Sequence, residues 1–230
     1  MQSLAAAAHE LKTPLAIIAH LASALEDESL FTPAARRENL QRIQLSAERT
    51  MRMVQGLTTS YRLSEQQLTI ALNLQPININ QVCEEVAHEI LPFARVHDQT
   101  LDVRLGRRSQ LVVGDGELLH NIIFNLLDNA LRHTPPQTTV QMQLRRRDEL
   151  VRVCVHDDGP GIQPSDMVKL QQRLGKQIQP MVTRSSGSGL GLYIAQQLAE
   201  AMGGRIGVGK SRRGADFHVD LLHSRQLSFI

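Results

Sequence analysis

Asn121-Ile122-Ile123-Phe124-Asn125-Leu126-Leu127-Asp128-Asn129-Ala130-Leu131-Arg132-His133-Thr134 is the stretch from which the rest of the chain is read. Asn125, Asn129 and Arg132 stand at i, i+4 and i+7, so they share one stripe of a helix. Ile122, Ile123, Leu126, Leu127 and Ala130 form a second, apolar face that can enter a core. Asp115 is a capping residue at the start, and Pro135-Pro136 stops the helix after His133. Amide oxygens suit Mg²⁺, a hard cation that keeps several waters and bridges phosphates. Arginine holds phosphate by paired hydrogen bonds. A polar stripe on an amphipathic helix is often only a solvated face, so its meaning depends on what accompanies it.

Two further stretches accompany it. Val151, Val153 and Val155 alternate with Arg152, Cys154 and His156, and Asp157 continues the valine parity. Asp157 opens Asp157-Asp158-Gly159-Pro160-Gly161-Ile162. A carboxylate on a buried face needs donors, and the exocyclic amine of adenine is one. The glycines allow a close turn against a flat base. Further on, Ser186-Gly187-Ser188-Gly189-Leu190-Gly191-Leu192 leads into a helix that starts near Gly189 and reaches Met202. Bare glycine amides at a helix N-terminus make an anion site suited to phosphates. There is no Gly-x-x-x-x-Gly-Lys-Ser/Thr loop, which excludes a P-loop enzyme.

Outward from these stretches the pattern is mixed. Ile77–Ile79 reads as a short strand, Asn80 as the cap of a helix to about His97, and Thr100–Leu105 and Leu111–Val113 as strands. Val140, Met142 and Leu144 alternate with Gln141, Gln143 and Arg145. With Asp148-Glu149 as the turn, they pair with the valine strand as a hairpin with one buried face. A last strand pair surrounds Arg212-Arg213-Gly214. Helices on one face of a mixed sheet make this part α+β.

The first third is different. Leu4, Ala8, Leu11, Leu15, Ile18, Ala22 and Leu25 follow a 4-3 spacing, a narrow coiled-coil seam. Glu26-Asp27-Glu28-Ser29 breaks it. Thr32-Pro33 reads as an N-cap followed by proline at the first helical position. The second helix runs to about Leu68, with a seam of Leu40, Ile43, Ala47, Met51, Val54, Leu57 and Tyr61. Two such helices cannot bury both seams alone, and a dimeric four-helix bundle is the economical solution. His9 lies beside the first seam, and Pro14 should kink the helix near it.

Composition sets the outer bounds. The 230 residues are 42% hydrophobic and 21% charged, enough for one or two packed domains. A net charge of +2 and an aromatic content of 3% give no case for nucleic-acid binding. Two isolated cysteines, Cys83 and Cys154, make neither a disulfide scaffold nor a zinc site. No run of 18 apolar residues marks a membrane segment. The start lacks the basic flank of a secretory signal. A helical pattern already running at Leu4 suggests a fragment of something longer.

His9-Glu10-Leu11-Lys12-Thr13-Pro14-Leu15 resembles the H-box of sensor histidine kinases. The Asn121–Thr134 stretch resembles their N-box, and the two glycine stretches resemble their D-x-G-x-G and G-x-G-x-G boxes. The order of the last three, across about 70 residues, is similar to the ATP-binding domain of histidine kinases, Hsp90, MutL and gyrase. The resemblance implies a dimerisation and phosphotransfer domain over 1–71, a linker at 72–76, a catalytic ATP-binding α/β sandwich over 77–222 and a tail at 223–230. It implies that His9 takes the γ-phosphoryl group of ATP, with Glu10 orienting or deprotonating the imidazole. Thr13 would position water for dephosphorylating a partner receiver domain. Asn129 would be the Mg²⁺ ligand, and Asn125, Arg132, His133, Gly159, Gly161, Arg184, Gly187, Ser188, Gly189, Leu190 and Gly191 would surround the nucleotide. Asp157 would contact adenine.

The family usually has Lys-Tyr where this chain has Arg132-His133, and a phenylalanine-rich lid where Gln163–Ser185 has none. The resemblance also implies a homodimer, a response regulator as partner, and the cytoplasmic portion of a membrane-bound sensor. Two other functions are weaker. Hydrolase relatives carry a catalytic Glu four residues before the Mg²⁺ ligand, where this chain has Asn125, an amide that cannot act as a base. A non-catalytic scaffold has no need of the intact His9, Asn129, Asp157 and glycine triplet.

Overall fold

A computed structural model describes residues 2–27, 30–64, 72–174, 189–209, 211 and 213–224, without the side chains of 2–7, 9, 64, 169, 172 and 173. The chain divides into a helical unit and an α/β unit. In the first, α1 spans Gln2–Leu25 with Pro14 inside it, and α2 spans Pro33–Ser64. The second helix begins where Thr32-Pro33 predicts. The Thr32 hydroxyl accepts from the Ala35 N–H at 3.3 Å, and its carbonyl accepts from Arg36 at 2.9 Å. These bonds occupy donors that the first helical turn leaves without partners. The expected end at Leu68 lies outside the described residues.

The seams differ from expectation in a specific way. The best-buried positions of α1 are Glu10, Pro14 and Leu25, and those of α2 include Asn39, Leu45 and Ser60. The expected seam residues Leu15, Leu40, Met51, Val54 and Tyr61 are 45–64% exposed. The single chain therefore leaves these five seam positions open, while Leu25 is buried and Leu11, Ile18, Ile43, Ala47 and Leu57 are half-buried.

The α/β unit has the following order. β1 (Gln75–Asn78) leads into α3 (Ile79–Val96), then β2 (Thr100–Arg104), β3 (Leu111–Gly114) and α4 (Gly116–His133). β4 (Thr139–Arg147) and β5 (Leu150–Asp157) form the expected hairpin, followed by α5 (Pro164–Leu174), α6 (Leu190–Ala201), β6 (Arg205–Gly209) and β7 (Asp216–Leu222). The sheet order is β2-β4-β5-β7-β6, parallel between β2 and β4 and antiparallel elsewhere. β1 and β3 make a separate antiparallel pair. β1 begins two residues before the expected strand. The cap of α3 is Asn78 and not Asn80: Asn78 is the extended residue, and its side chain accepts from the Asn80 N–H at 3.2 Å. Asn80 is already inside the helix, 8% exposed, and its side chain is committed elsewhere.

Alternation assigns the two faces of the sheet. Val140, Met142, Val151, Val153, Val219 and Leu221 are fully buried on one face, with Ile122, Leu126, Leu127, Ile194 and Leu198 of α4 and α6 among the other fully buried side chains. The Phe93 and Phe124 rings meet edge to face at 5.9 Å, joining α3 to α4. The opposite face is polar. Arg145 donates to Gln143 at 3.0 Å, Gln143 donates to Gln141, and Gln141 donates to Asp102 at 2.8 Å. Asp102 also takes Arg104 at 2.7 Å.

On that polar face Arg152 grips Asp220 with two bonds, at 2.6 and 2.7 Å. Burial would raise the Asp220 carboxyl, but the Arg152 guanidinium outweighs it and holds the carboxyl below the usual carboxylate range. A lowered folded pKa gives stability above the unfolded pKa that is lost as pH falls through the folded value. Arg152→Met leaves the buried Asp220 carboxylate with only the exposed Arg205, at 3.8 Å, and is expected to cost about 3 kcal/mol at pH 7. Adding Asp220→Leu should recover most of that. Urea unfolding of the two variants checks both values, and an additive double variant would show that the pair is not coupled.

Candidate functional site

Asp115 caps α4 as expected, accepting from Glu117 at 3.0 Å and Leu118 at 3.3 Å. That cap fixes the start of the helix and so the direction of its polar stripe. Asn125 donates back to the Asn121 carbonyl at 2.8 Å. Its oxygen is left facing Gly191, where an added Cβ would stand 3.0 Å from it. The N-terminal turn of α6 thus lies against the middle of α4, and glycine permits the approach. Asn129 is half-buried and makes no hydrogen bond to the described residues, so its amide is available. Arg132 is exposed and His133 half-buried, one turn further on.

Asp157 occupies the end of β5 at 3% exposure. Its Oδ1 accepts from the Gly159 N–H at 2.9 Å and the Ala215 N–H at 3.2 Å. Both donors fall on one oxygen, leaving Oδ2 for another partner. Burial raises the carboxyl, against the lowering effect of these two N–H groups and of His156 and His133. The glycines explain the close packing. A Cβ at Gly159 would stand 2.9 Å from the His133 carbonyl oxygen, joining this turn to the end of α4. Gly161 has φ +77, and a Cβ there would stand 3.0 Å from the Gly214 carbonyl. Gly214, at φ +70, has no room for a Cβ against the Asp157 carbonyl.

His133, Gly159, Gly161 and Asp157 therefore meet at the C-terminus of β5, and Asn125 meets Gly191 two turns back along α4. Gly189 is exposed with φ +66, and Leu190 is buried at the start of α6. Arg184, Gly187 and Ser188 lie outside the described residues, as does residue 175 onward of the expected lid. The described part of that lid contains α5, a helix that the polar, basic reading of Gln163–Ser185 did not anticipate. In the helical unit Glu10 is 8% exposed and Thr13 exposed, while the His9 side chain is not described.

Sequence reasoning missed Ala215, whose N–H holds Asp157 from 58 residues away. The signal was Gly214, two residues before β7. Among the described residues no group of three His, Cys, Asp or Glu side chains is placed to hold a metal. A cation here would be held by amide oxygen and ligand phosphates. No described helix is long and apolar enough to cross a membrane.

The family model of histidine kinase-, DNA gyrase B- and HSP90-like ATPases matches residues 114–225. That of the His Kinase A (phospho-acceptor) domain matches residues 1–66. The chain belongs to the histidine kinases. This kinase core is 34% identical over 210 residues to the sensor protein SphS of Synechococcus elongatus, covering 86% of this chain and 48% of that protein. Its fold is similar to that of full-length ShkA in complex with AMPPNP, with TM-score 0.62, 24% identity, and coverage of 97% of this chain and 47% of that one. It is likewise similar to histidine kinase ThkA in complex with the response regulator protein TrrA, with TM-score 0.61, 20% identity, and coverage of 94% and 60%. The kinase core spans less than half the length of the curated relatives it matches.

Because burial raises Asp157, its ionised form costs stability, a cost absent in acid that grows as pH rises through the folded pKa. Asp157→Asn keeps an oxygen for both N–H groups and removes the charge. The variant is expected to be at least as stable as the wild type at pH 7, with a smaller fall in stability from acid to neutral pH. Urea unfolding at both pH values checks this, and a loss above about 1 kcal/mol at pH 7 would mean that the charge itself holds the turn.

Proposed function

We propose that this chain is the catalytic core of a two-component sensor kinase, which phosphorylates itself on His9 from ATP and passes the phosphoryl group to an aspartate of a response regulator. The observation that carries the reading is Asp157: a buried carboxylate with one oxygen saturated by main-chain N–H groups and the other free. Such an acceptor suits the exocyclic amine of adenine and rejects a carbonyl at that position. On this reading the glycine amides from Gly187 to Gly191 hold the phosphates at the start of α6, with Arg132, His133 and Arg184 around them. Asn129 supplies an amide oxygen for Mg²⁺, beside Asn125. The Mg²⁺ ion, when bound, neutralises the β- and γ-phosphates.

A neutral ring nitrogen of His9 attacks the γ-phosphorus. The N–P bond forms as the bond to the β–γ bridging oxygen breaks, ADP leaves, and the proton on the other ring nitrogen is drawn to Glu10. The phosphoryl group then moves from nitrogen to a carboxylate oxygen of the regulator as the N–P bond breaks, and the proton held by Glu10 returns to the ring to regenerate neutral imidazole. Thr13 lies one turn from His9 and is exposed. That position supports the second half of the reading, in which Thr13 orients water to hydrolyse the phosphorylated regulator.

The division into a phosphotransfer domain at 1–71, a linker at 72–76, a catalytic domain at 77–222 and a tail belongs to the same proposal, as does the place of this core in the cytoplasmic part of a membrane-bound sensor. Homodimerisation does too: the exposed Leu15, Leu40, Met51, Val54 and Tyr61 are the surface that a second helical hairpin would cover.

Incubation with γ-labelled ATP and Mg²⁺ tests the reading. Acid-labile, alkali-stable label on the wild type is expected, and none on His9→Gln. Asn129→Asp should lower labelling at least about 100-fold through lost placement of the phosphates. Asp157→Asn, once shown by its urea midpoint to fold, should bind ATP at least about tenfold more weakly. Label that survives His9→Gln, or ATP binding unchanged in Asp157→Asn, overturns the corresponding part.

A further inference from the structure

The end of the sheet opposite Asp157 carries a cluster of arginines that nucleotide chemistry does not use. β2 and β4 run parallel, with Arg104 opposite Gln143 as their last pair, so both C-terminal ends fall on the same side. β4 continues through Arg145, Arg146 and Arg147 to the turn at Asp148, whose φ is 50. The segment after β2 carries Arg107 and Arg108. Asn80 of α3 fixes that segment, donating to the carbonyls of Leu105 at 3.2 Å and Arg108 at 3.4 Å and accepting from Gln110 at 2.8 Å. Ser224 donates to the Leu111 carbonyl at 2.9 Å and His223 to that of Glu149 at 2.9 Å, which ties the loop, the turn and the end of β7 together.

All six arginines are exposed. Arg104 is paired with Asp102, and Arg145 donates to the neutral Gln143. Arg107, Arg108, Arg146 and Arg147 make no ion pair to the described residues. Six arginines face three carboxylates, those of Asp102, Asp148 and Glu149. The excess of three exceeds the +2 of the whole chain. Surface charges of this kind contribute little to folding and repel one another, so packing does not account for them. Seven residues of β5 separate the turn from Asp157, about 23 Å, too far to act on phosphates at the other end.

We propose that this arginine corner is a docking face for an anionic lipid surface. The basic groups sit on two strand ends and a loop and are spread over two chain segments, which suits a flat, extended anion. An exposed apolar side chain stands among them: Leu222, 45% exposed, opposite Leu150 and on the face of the sheet that carries Arg145 and Arg147. Apolar groups gain from the headgroup–acyl boundary and gain nothing on a nucleic-acid phosphate backbone, which decides between the two polyanions. Each arginine near an anionic bilayer raises partitioning about fivefold, so three uncompensated charges give about a hundredfold. That is weak for a free chain and sufficient for one already held near a membrane.

Vesicle flotation of the purified chain tests the proposal without reference to kinase activity. It uses phosphatidylcholine vesicles with and without phosphatidylglycerol, at low and high salt, and a short DNA duplex as competitor. Flotation with the anionic vesicles alone is expected, released by high salt. The two double variants Arg107→Glu with Arg108→Glu, and Arg146→Glu with Arg147→Glu, should each lower it at least about tenfold, with unchanged urea midpoints. Equal flotation with neutral vesicles, no flotation, insensitivity to the charge reversals, or preferential capture by the duplex overturns it.

Discussion

A carboxylate buried at 3% exposure must be held by donors, and the way Asp157 is held organises the end of the sheet around it. Its two donors come from Gly159, just after β5, and from Ala215, at the start of β7. One side chain therefore joins the edge of the ligand turn to a strand that is adjacent in the sheet and distant in sequence. The same turn reaches α4 through Gly159 and the His133 carbonyl. α4 in turn reaches α6 through Asn125 and Gly191. A Cβ would be excluded at Gly159 and crowded at Gly191, so the glycines of the two boxes serve contact between elements.

The fold is legible in the sequence where a local rule has one solution. Thr32-Pro33 and Asp115 each start a helix, and both caps form as read. The alternation on either side of Asp148-Glu149 has one register that buries Val140, Met142, Val151 and Val153 together, and that is the register observed. Where two residues satisfy the same rule, the reading slips. Asn78 and Asn80 are both good caps. Asn80 is drawn into the helix because its amide ties down the loop between β2 and β3, a requirement that no local pattern reveals. The clasp from Ala215 was hidden for the same reason, since its partner lies 58 residues away.

The helical unit shows a different limit. A 4-3 spacing states that a seam exists and not what covers it. In α1 the buried stripe runs through Glu10, Pro14 and Leu25, and in α2 through Asn39 and Ser60, which include polar residues that no hydrophobic pattern would select. The apolar 4-3 positions Leu15, Leu40, Met51, Val54 and Tyr61 remain outside. Buried polar groups need hydrogen-bond partners, and exposed apolar groups in a row mark a surface suited to association.

The polarity of the sheet separates two kinds of chemistry. At the C-terminal end of β5, two main-chain N–H groups hold one buried carboxylate among close-packed glycines. At its N-terminal end, long flexible arginines project from two strand ends and a loop, a geometry for a surface without a fixed shape. On the polar face between them Arg152 is taken by Asp220, and the Gln141–Gln143 rail ends on Asp102. At the corner Arg107, Arg108, Arg146 and Arg147 make no ion pair to the described residues. An unmatched excess at one place on a chain of nearly balanced charge marks a surface whose partner lies outside the molecule.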